Sequence, residues 1–293
     1  MATKNHADRT LVVRRMNISP YQANNFAKQE QAMVESLGLR YDPEHSCPDI
    51  IITNTHSKPS EWPSSFLQNT KLLIHPNSGY DNFSPLFLKE ASFKIVLGNS
   101  IRAHAVVEYI LSELFSHFSS VPDQKQWDKE RAWPRTLLHQ QRVLLIGHGH
   151  IGQILAPALT PLVGELAIHD PIKGHELSSF SGFDVVILAA SLTETSRLFV
   201  NASFLNTLNN PFLLINTARG ELIDEEALCK TLIERPGARA VLDVFTTEPR
   251  PSGHPFEKLP NIKLSSHIAG VHAALDQGIL AFEERVLRDF LLE

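Results

Sequence analysis

Short apolar runs alternate along this chain with longer stretches in which apolar positions recur every three or four residues. Residues 10–14, 49–53, 71–74 and 93–97 read as strands, and the unbroken apolar run at 50–52 suits a strand buried on both faces. Residues 20–37 read as a helix that opens at Pro20, carries Phe26, Met33, Val34 and Leu37 on one side, and closes at Gly38. Residues 62–67 and 85–91 read as short helices, and 75–82 is a dense turn signal. Strands alternating with helices predict a parallel sheet covered on both faces, so the first 100 residues form one α/β unit.

Residues 103–118 form a long helical pattern, with Val106, Val107, Ile110, Leu111, Leu114 and Phe115 as its apolar stripe and Glu108 on or beside it. The polar stretch 119–141 carries Trp127 and Trp133 and reads equally as a subunit contact or as a strap folded onto its own domain. Strand signals then recur at 143–146, 166–170, 184–189, 212–215, 238–243 and 262–264. Helices are expected at 151–162, 202–208 and 224–233, the last capped by Asp224 with Glu225 and Glu226 at its positive end. A final helix, 273–292, has one apolar face.

The strand at 143–146 runs straight into Gly147, Gly149 and Gly152, and a helix follows. Strand, G-x-G-x-x-G and helix in that order are a dinucleotide-binding fingerprint: Gly147 makes the tight turn, Gly149 admits a pyrophosphate, and Gly152 lets helix and strand pack closely. Asp170 ends the next strand at roughly the twenty-residue offset at which a carboxylate meets a ribose. His148 and His150 have no cysteine or carboxylate beside them, so they decorate the loop and no metal is expected.

Ligands of open parallel sheets lie beyond the carboxyl ends of the strands. Reading off those ends in the second half gives Asp170, residues 191–193, 216–219, 243–248 and 265–267. Arg219, Glu248 and His267 thus fall at the ends of three strands, on the same edge as the glycine loop. A histidine exchanges protons near neutral pH, a carboxylate stabilises its charged ring, and a guanidinium grips a carboxylate with a planar fork. Together they suit hydride chemistry on a substrate with a carboxylate beside a keto or hydroxyl carbon.

With 293 residues, roughly two domains are expected. A formal charge of −5 offers no overall attraction to nucleic acid or an anionic membrane. The two cysteines, Cys47 and Cys229, sit far apart without a disulfide or zinc pattern, which suits a reducing cytosol. The polar first ten residues lack a signal-peptide core, and the longest apolar run, 185–190, is too short to span a bilayer. A cytoplasmic protein is expected.

Several stretches resemble the D-isomer-specific 2-hydroxyacid dehydrogenase family: GHGHIG at 147–152, NTARGELID at 216–224, LDVFTTEP at 242–249, and LPNI at 259–262 with HIAG at 267–270. In the first half, NSGYDN at 77–82 is similar to the family's substrate-carboxylate loop, and VVE at 106–108 to the start of its interdomain helix. The resemblance implies an NAD-dependent enzyme of two doubly wound parallel-sheet domains. Residues 1–100 with 272–293 would form a flavodoxin-like substrate domain, and 101–271 a Rossmann-like cofactor domain. It implies Arg219 as the substrate-binding arginine, Glu248 as the partner of His267, and His267 as the acid/base. Asp170 would meet the adenosine ribose and favour NAD over NADP, the amides of His150 and Ile151 would hold the pyrophosphate, Asp243 would sit near the nicotinamide carboxamide, and Thr217 and Ala218 would also bind the cofactor. Asn77, Ser78 and Gly79 would receive a small 2-keto or 2-hydroxy acid, and the protein would pair as a homodimer through the cofactor domain. Some relatives use the fold to sense NAD(H) as corepressors without turnover, which is the alternative function. The chain departs from the family at Ser191 and Ser266, where many members carry proline. Ser78 stands where phosphite-oxidising relatives have lysine, and Glu248 where formate-oxidising relatives have glutamine.

Overall fold

The apolar runs become the inner strands of two separate parallel sheets. The computed structural model describes residues 9–19 and 22–293, and divides the chain into one unit running to Arg102 and including His272–Glu293, and a second unit, Ala103–Val271.

In the first unit the elements are β1 (Val12–Arg15), α1 (Phe26–Ser36), β2 (Arg40–Tyr41), β3 (Ile50–Ile52), β4 (Leu72–His75), α2 (Pro85–Glu90), β5 (Lys94–Leu97) and α7 (Leu275–Leu292). The sheet order is β2-β1-β3-β4-β5, with every pair parallel. Side chains alternate across a strand, and the run Ile50, Ile51, Ile52 divides accordingly. Ile50 and Ile52 pack with Val13, Leu72, Ile74, α1 (Val34) and α7 (Phe282, Val286, Leu287), whereas Ile51 packs with Leu73, Phe66 and Phe83. Burial of each such side chain contributes about 1.5–3 kcal/mol relative to exposure.

A charged cluster interrupts this apolar interior. Arg15, at the end of β1, donates from Nε to Glu30 Oε1 at 2.7 Å and from Nη2 to both Glu30 and Glu283, while the Tyr41 hydroxyl donates to Glu30 Oε2 at 2.7 Å. Arg15, Glu30 and Glu283 are all buried, so the cluster ties β1, α1 and the C-terminal helix together. Burial holds the Glu283 carboxyl well above the ordinary carboxylate range, with Arg15 pulling the other way and Glu30 adding to the rise.

The second unit contains α3 (Ala103–Phe118), β6 (Arg142–Ile146), α4 (His150–Leu159), β7 (Glu165–His169), β8 (Val185–Leu188), α5 (Ala202–Thr207), β9 (Leu213–Asn216), α6 (Glu225–Glu234), β10 (Arg239–Leu242) and β11 (Ile262–Leu264). Its order is β11-β10-β9-β8-β6-β7, again all parallel. Val143, Leu145, Val185 and Ile187 face α3 and α4; Leu144, Ile146, Val186 and Leu188 face α5 and α6.

Several elements differ from the reading of the sequence. α1 starts at Phe26, and Pro20 lies outside the described residues. Residues 59–67 make two 3₁₀ turns, α4 ends at Leu159, α7 starts at Leu275, and the two-residue edge strand β2 has no sequence signal long enough to announce it. Glu108 is exposed, not on the buried stripe. The buried acid of α3 is Glu113, which accepts from Lys263 Nζ at 2.5 Å. Among the described residues no helix is long and apolar enough to cross a membrane.

Candidate active site

At the end of β6 the chain reverses through Gly147 at φ +100°, where a Cβ would overlap the peptide between Ala189 and Ala190. Gly152, in the first turn of α4, passes so close that a Cβ would overlap the Gly147 carbonyl oxygen. Gly149 is different: its backbone is extended, and a Cβ would meet nothing within 4 Å. The chain itself therefore leaves open space over Gly149. The amides of His150 and Ile151 belong to the first turn of α4, where no intrahelical acceptor exists and the helix dipole is positive.

Asp170 follows β7 directly and stands against this turn. Its Oδ2 accepts from the His148 amide at 2.7 Å and its Oδ1 from the Lys173 amide at 3.3 Å. Open space, orphan helix amides and an adjacent carboxylate fit a dinucleotide. They would hold its pyrophosphate over Gly149 and its ribose near Asp170. Among the described residues no group of three or more histidine, cysteine or acidic side chains is placed to hold a metal.

Arg219, Glu248 and His267 follow the ends of β9, β10 and β11. At the end of β9, the buried Asn216 side chain accepts from the Ala218 amide at 3.0 Å and donates to the Arg219 carbonyl at 2.8 Å, so one amide shapes the turn that carries Thr217, Ala218 and Arg219. Arg219 Nη1 donates to the Ala218 carbonyl at 2.7 Å, which braces the guanidinium against its own turn. Gly220 then packs so tightly on the segment after β10 that a Cβ would overlap the Phe245 carbonyl group. The Arg219 and Glu248 loops are thereby held against each other.

Glu248 Oε1 accepts from the Phe245 amide at 3.0 Å, and its Oε2 lies 2.7 Å from His267 Nδ1. Partial burial disfavours the Glu248 carboxylate. The hydrogen bonds from His267 and Phe245 and the nearby charge of Arg219 outweigh that cost and hold it below the ordinary carboxylate range. An ionised carboxylate only accepts, so Nδ1 carries a proton and Nε2 is the exchanging nitrogen. Nε2 has no partner among the described residues.

His267 adopts φ +54°, a left-handed backbone that costs a non-glycine residue free energy. Asp243 holds it there. Its carboxylate is buried and accepts from the Ser265 hydroxyl at 2.6 Å and from the amides of Ile268 and Ala269 at 2.8 Å, while its carbonyl accepts from the His267 amide at 2.7 Å. Tyr109 of α3 adds a 2.8 Å hydrogen bond to Ser265. Asp243, placed on the nicotinamide side by the sequence resemblance, is thus also the anchor of the histidine loop. Nothing in the sequence marked Tyr109 or Asn216 for these jobs, because both act through folded contacts. A cavity of about 460 Å³ beside α6 and Phe256 is not lined by Arg219, Glu248 or His267. The remaining predicted residues, Asn77, Ser78 and Gly79, lie in the first unit, in the loop after β4.

An open parallel sheet with a glycine turn, a carboxylate against that turn and a histidine–glutamate pair beyond its strand ends fits a nucleotide-dependent oxidoreductase. Residues 111–269 match the family model of the D-isomer specific 2-hydroxyacid dehydrogenase, NAD binding domain. The chain belongs to this family of NAD-dependent oxidoreductases acting on CH–OH groups. It is similar to a hydroxypyruvate reductase of Thermotoga maritima, 25% identical over 82% of this chain and 84% of that protein. It is also similar to a glyoxylate reductase of Thermofilum pendens, 34% identical over 49% of this chain and 47% of that one. The NAD⁺-bound 3-phosphoglycerate dehydrogenase of Entamoeba histolytica has the same fold, with a TM-score of 0.76 at 16% identity over 97% of this chain and 96% of that one.

Proposed function

We propose that the protein interconverts small 2-keto and D-2-hydroxy acids, with His267 as the acid/base, Glu248 as its partner and Arg219 as the substrate-binding cation. The observation that carries this reading is the 2.7 Å Glu248–His267 pair, which leaves Nε2 to exchange a proton. When bound, NAD(H) supplies or accepts the hydride. His267 Nε2 gives its proton to the carbonyl oxygen in reduction and takes it back in oxidation, a contribution of about 10²–10⁴-fold in rate. The ionised Glu248 stabilises the positive ring and orients it through Nδ1. Arg219 offers planar paired donors to the substrate carboxylate and polarises the adjacent carbonyl.

The same reading assigns NAD to the unit Ala103–Val271, through Gly147, Gly149, His150, Ile151, Gly152, Asp170, Thr217, Ala218 and Asp243. It assigns the substrate carboxylate to the Asn77, Ser78 and Gly79 loop of the other unit. The names of the relatives make glyoxylate and hydroxypyruvate the first substrates to try. Exposed Val121 and Trp127 in the 119–137 stretch support a homodimer through the cofactor unit.

NADH oxidation measured against a panel of small 2-ketoacids tests the proposal. Turnover is expected, and His267→Ala should lower kcat by roughly 10²-fold or more with NADH affinity unchanged. Tight NADH binding without turnover of any ketoacid would instead favour a sensor. Wild-type kcat in His267→Ala would remove His267 from the mechanism.

A further inference from the structure

The loop after β4 is held by a residue that the reaction leaves unused. His75, the last residue of β4, is fully buried, with its ring edge-on to Phe83 at 4.9 Å. Its Nε2 lies 2.8 Å from the Gly79 carbonyl and its Nδ1 2.9 Å from the Thr53 hydroxyl. A carbonyl only accepts, so Nε2 carries the proton, and in the neutral ring Nδ1 then accepts from the Thr53 hydroxyl, whose single proton is shared with the Ile74 carbonyl at 3.1 Å. Burial keeps the ring neutral by lowering its pKa to about 4. The Gly79 carbonyl raises it, Arg102 lowers it, Asp81 raises it and Arg15 lowers it, and these do not reverse the effect of burial.

Both ends of the loop are clamped elsewhere. The His75 carbonyl accepts from the Asn77 amide at 2.8 Å and the Gly98 amide at 2.7 Å, and Arg102 Nη1 donates to the Pro76 carbonyl at 2.7 Å. Asn82 Nδ2 donates to the carbonyls of Ser57 at 2.7 Å and Asn54 at 3.2 Å. Between the clamps, the His75 bond grips the Gly79 carbonyl. Three successive amides, those of Ser78, Gly79 and Tyr80, donate to no protein acceptor among the described residues. Successive unpaired amides in a turn form an anion-binding concavity.

We propose that His75 is a positioning residue: through Nε2–H on the Gly79 carbonyl it sets the conformation in which the Ser78–Tyr80 amides receive the substrate carboxylate. The inference rests on the 2-ketoacid reading above. A buried neutral histidine suits this task, because it donates to the Gly79 carbonyl without placing an extra charge in the interior, whereas an apolar side chain would leave that half-buried carbonyl without a donor.

Two variants test it. His75→Phe keeps a ring of similar volume without a donor, and His75→Gln restores an N–H. For His75→Phe, the ketoacid KM should rise about tenfold or more, equivalent to about 1.4 kcal/mol, with kcat within about threefold and NADH affinity unchanged. His75→Gln should recover most of the loss. A folded His75→Phe protein with wild-type KM would overturn the proposal, as would equal losses in KM, kcat and NADH affinity in both variants. Should His75→Phe fail to fold, ¹⁵N-histidine NMR of the wild-type protein decides: one ring is expected to remain the neutral Nε2–H tautomer down to about pH 5, and an Nδ1–H tautomer or a charged ring at His75 would sink it. If the wild-type protein turns over no 2-ketoacid, the parent reading fails, while the NMR result still reports on the His75–Gly79 bond separately.

Discussion

Counted from its own first strand, each sheet of this protein has the order 2-1-3-4-5, and the second adds one further strand. In such sheets the strand order reverses beside the first strand, and the crevice there receives ligands. The two units use the same crevice in opposite ways. In the second, β6 runs into Gly147 and leaves the space over Gly149 open. In the first, β1 ends in Arg15, whose Nη1 reaches the Thr53 carbonyl beyond β3 at 3.4 Å while its other nitrogens hold Glu30 and Glu283. No glycine precedes Gly38 in the sequence. The topology provides a crevice, and the residue at the end of one strand decides whether it is open to a ligand or filled from within. The first unit's candidate binding loop accordingly lies elsewhere, after β4.

The filled crevice can be broken by removing its cation. Arg15→Met keeps length and apolar bulk but leaves the buried Glu30 carboxyl group without its counter-charge and Glu283 without its donor. Breaking a buried ion pair from one side typically costs about 3–5 kcal/mol. Urea denaturation should show a loss of that size, with NADH affinity of the folded protein intact because Arg15 is not part of the cofactor unit. A loss below about 1 kcal/mol would mean the cluster does not hold the first unit together, and the contrast would reduce to one of sequence.

The open crevice can be closed by the opposite change. Gly149 adopts φ −73°, ψ −155°, a backbone available to any residue, and its missing Cβ faces no protein atom within 4 Å. Gly149→Val should therefore leave thermal stability nearly unchanged and weaken NADH binding by about 10–100-fold, or about 1.4–2.8 kcal/mol. Unchanged NADH affinity would show that no ligand backbone approaches there. A large loss of stability would show that the space serves packing.

How far this contrast was legible beforehand follows from which interactions are local. The glycine turn, Asp170 and the triplet Arg219, Glu248 and His267 could be read because strand ends and glycine spacing are local signals. Parallel pairing followed from the alternation of strands and helices. The Arg15–Glu30–Glu283 cluster could not be read, since Arg15 and Glu283 are 268 positions apart and each looks like an ordinary charged residue of its element. Asp243 as anchor of the His267 loop and Tyr109 behind Ser265 were hidden for the same reason, while His75 is close to Gly79 in sequence but its inward-turned ring depends on packing against Phe83. For Glu108 the sequence left open whether it lay on the helical stripe or beside it, since small rotations decide burial there; it is exposed beside the stripe, and the acid that is buried is Glu113.

The finest test of the filled crevice is its response to pH. Burial raises the Glu283 carboxyl above its ordinary value of 4.5, so the folded chain keeps a proton that the unfolded chain loses once the pH passes that value. Where the folded state binds more protons, stability falls as pH rises. The Glu283 contribution is therefore fully present below about pH 4.5, declines above it, and levels off once the raised folded pKa is passed. Glutamine at this position keeps an oxygen for Arg15 and has no proton to lose. Glu283→Gln should gain on the wild-type protein as pH increases, by at most about 1.4 kcal/mol per pH unit. Urea midpoints at a series of pH values from 5 to 9 measure this directly, because residues titrating identically in both proteins cancel in the difference. Parallel curves would mean that Glu283 is ionised in the folded protein. The first crevice would then hold two buried anions on one guanidinium, and its filling would have to be sought in a different charge arrangement.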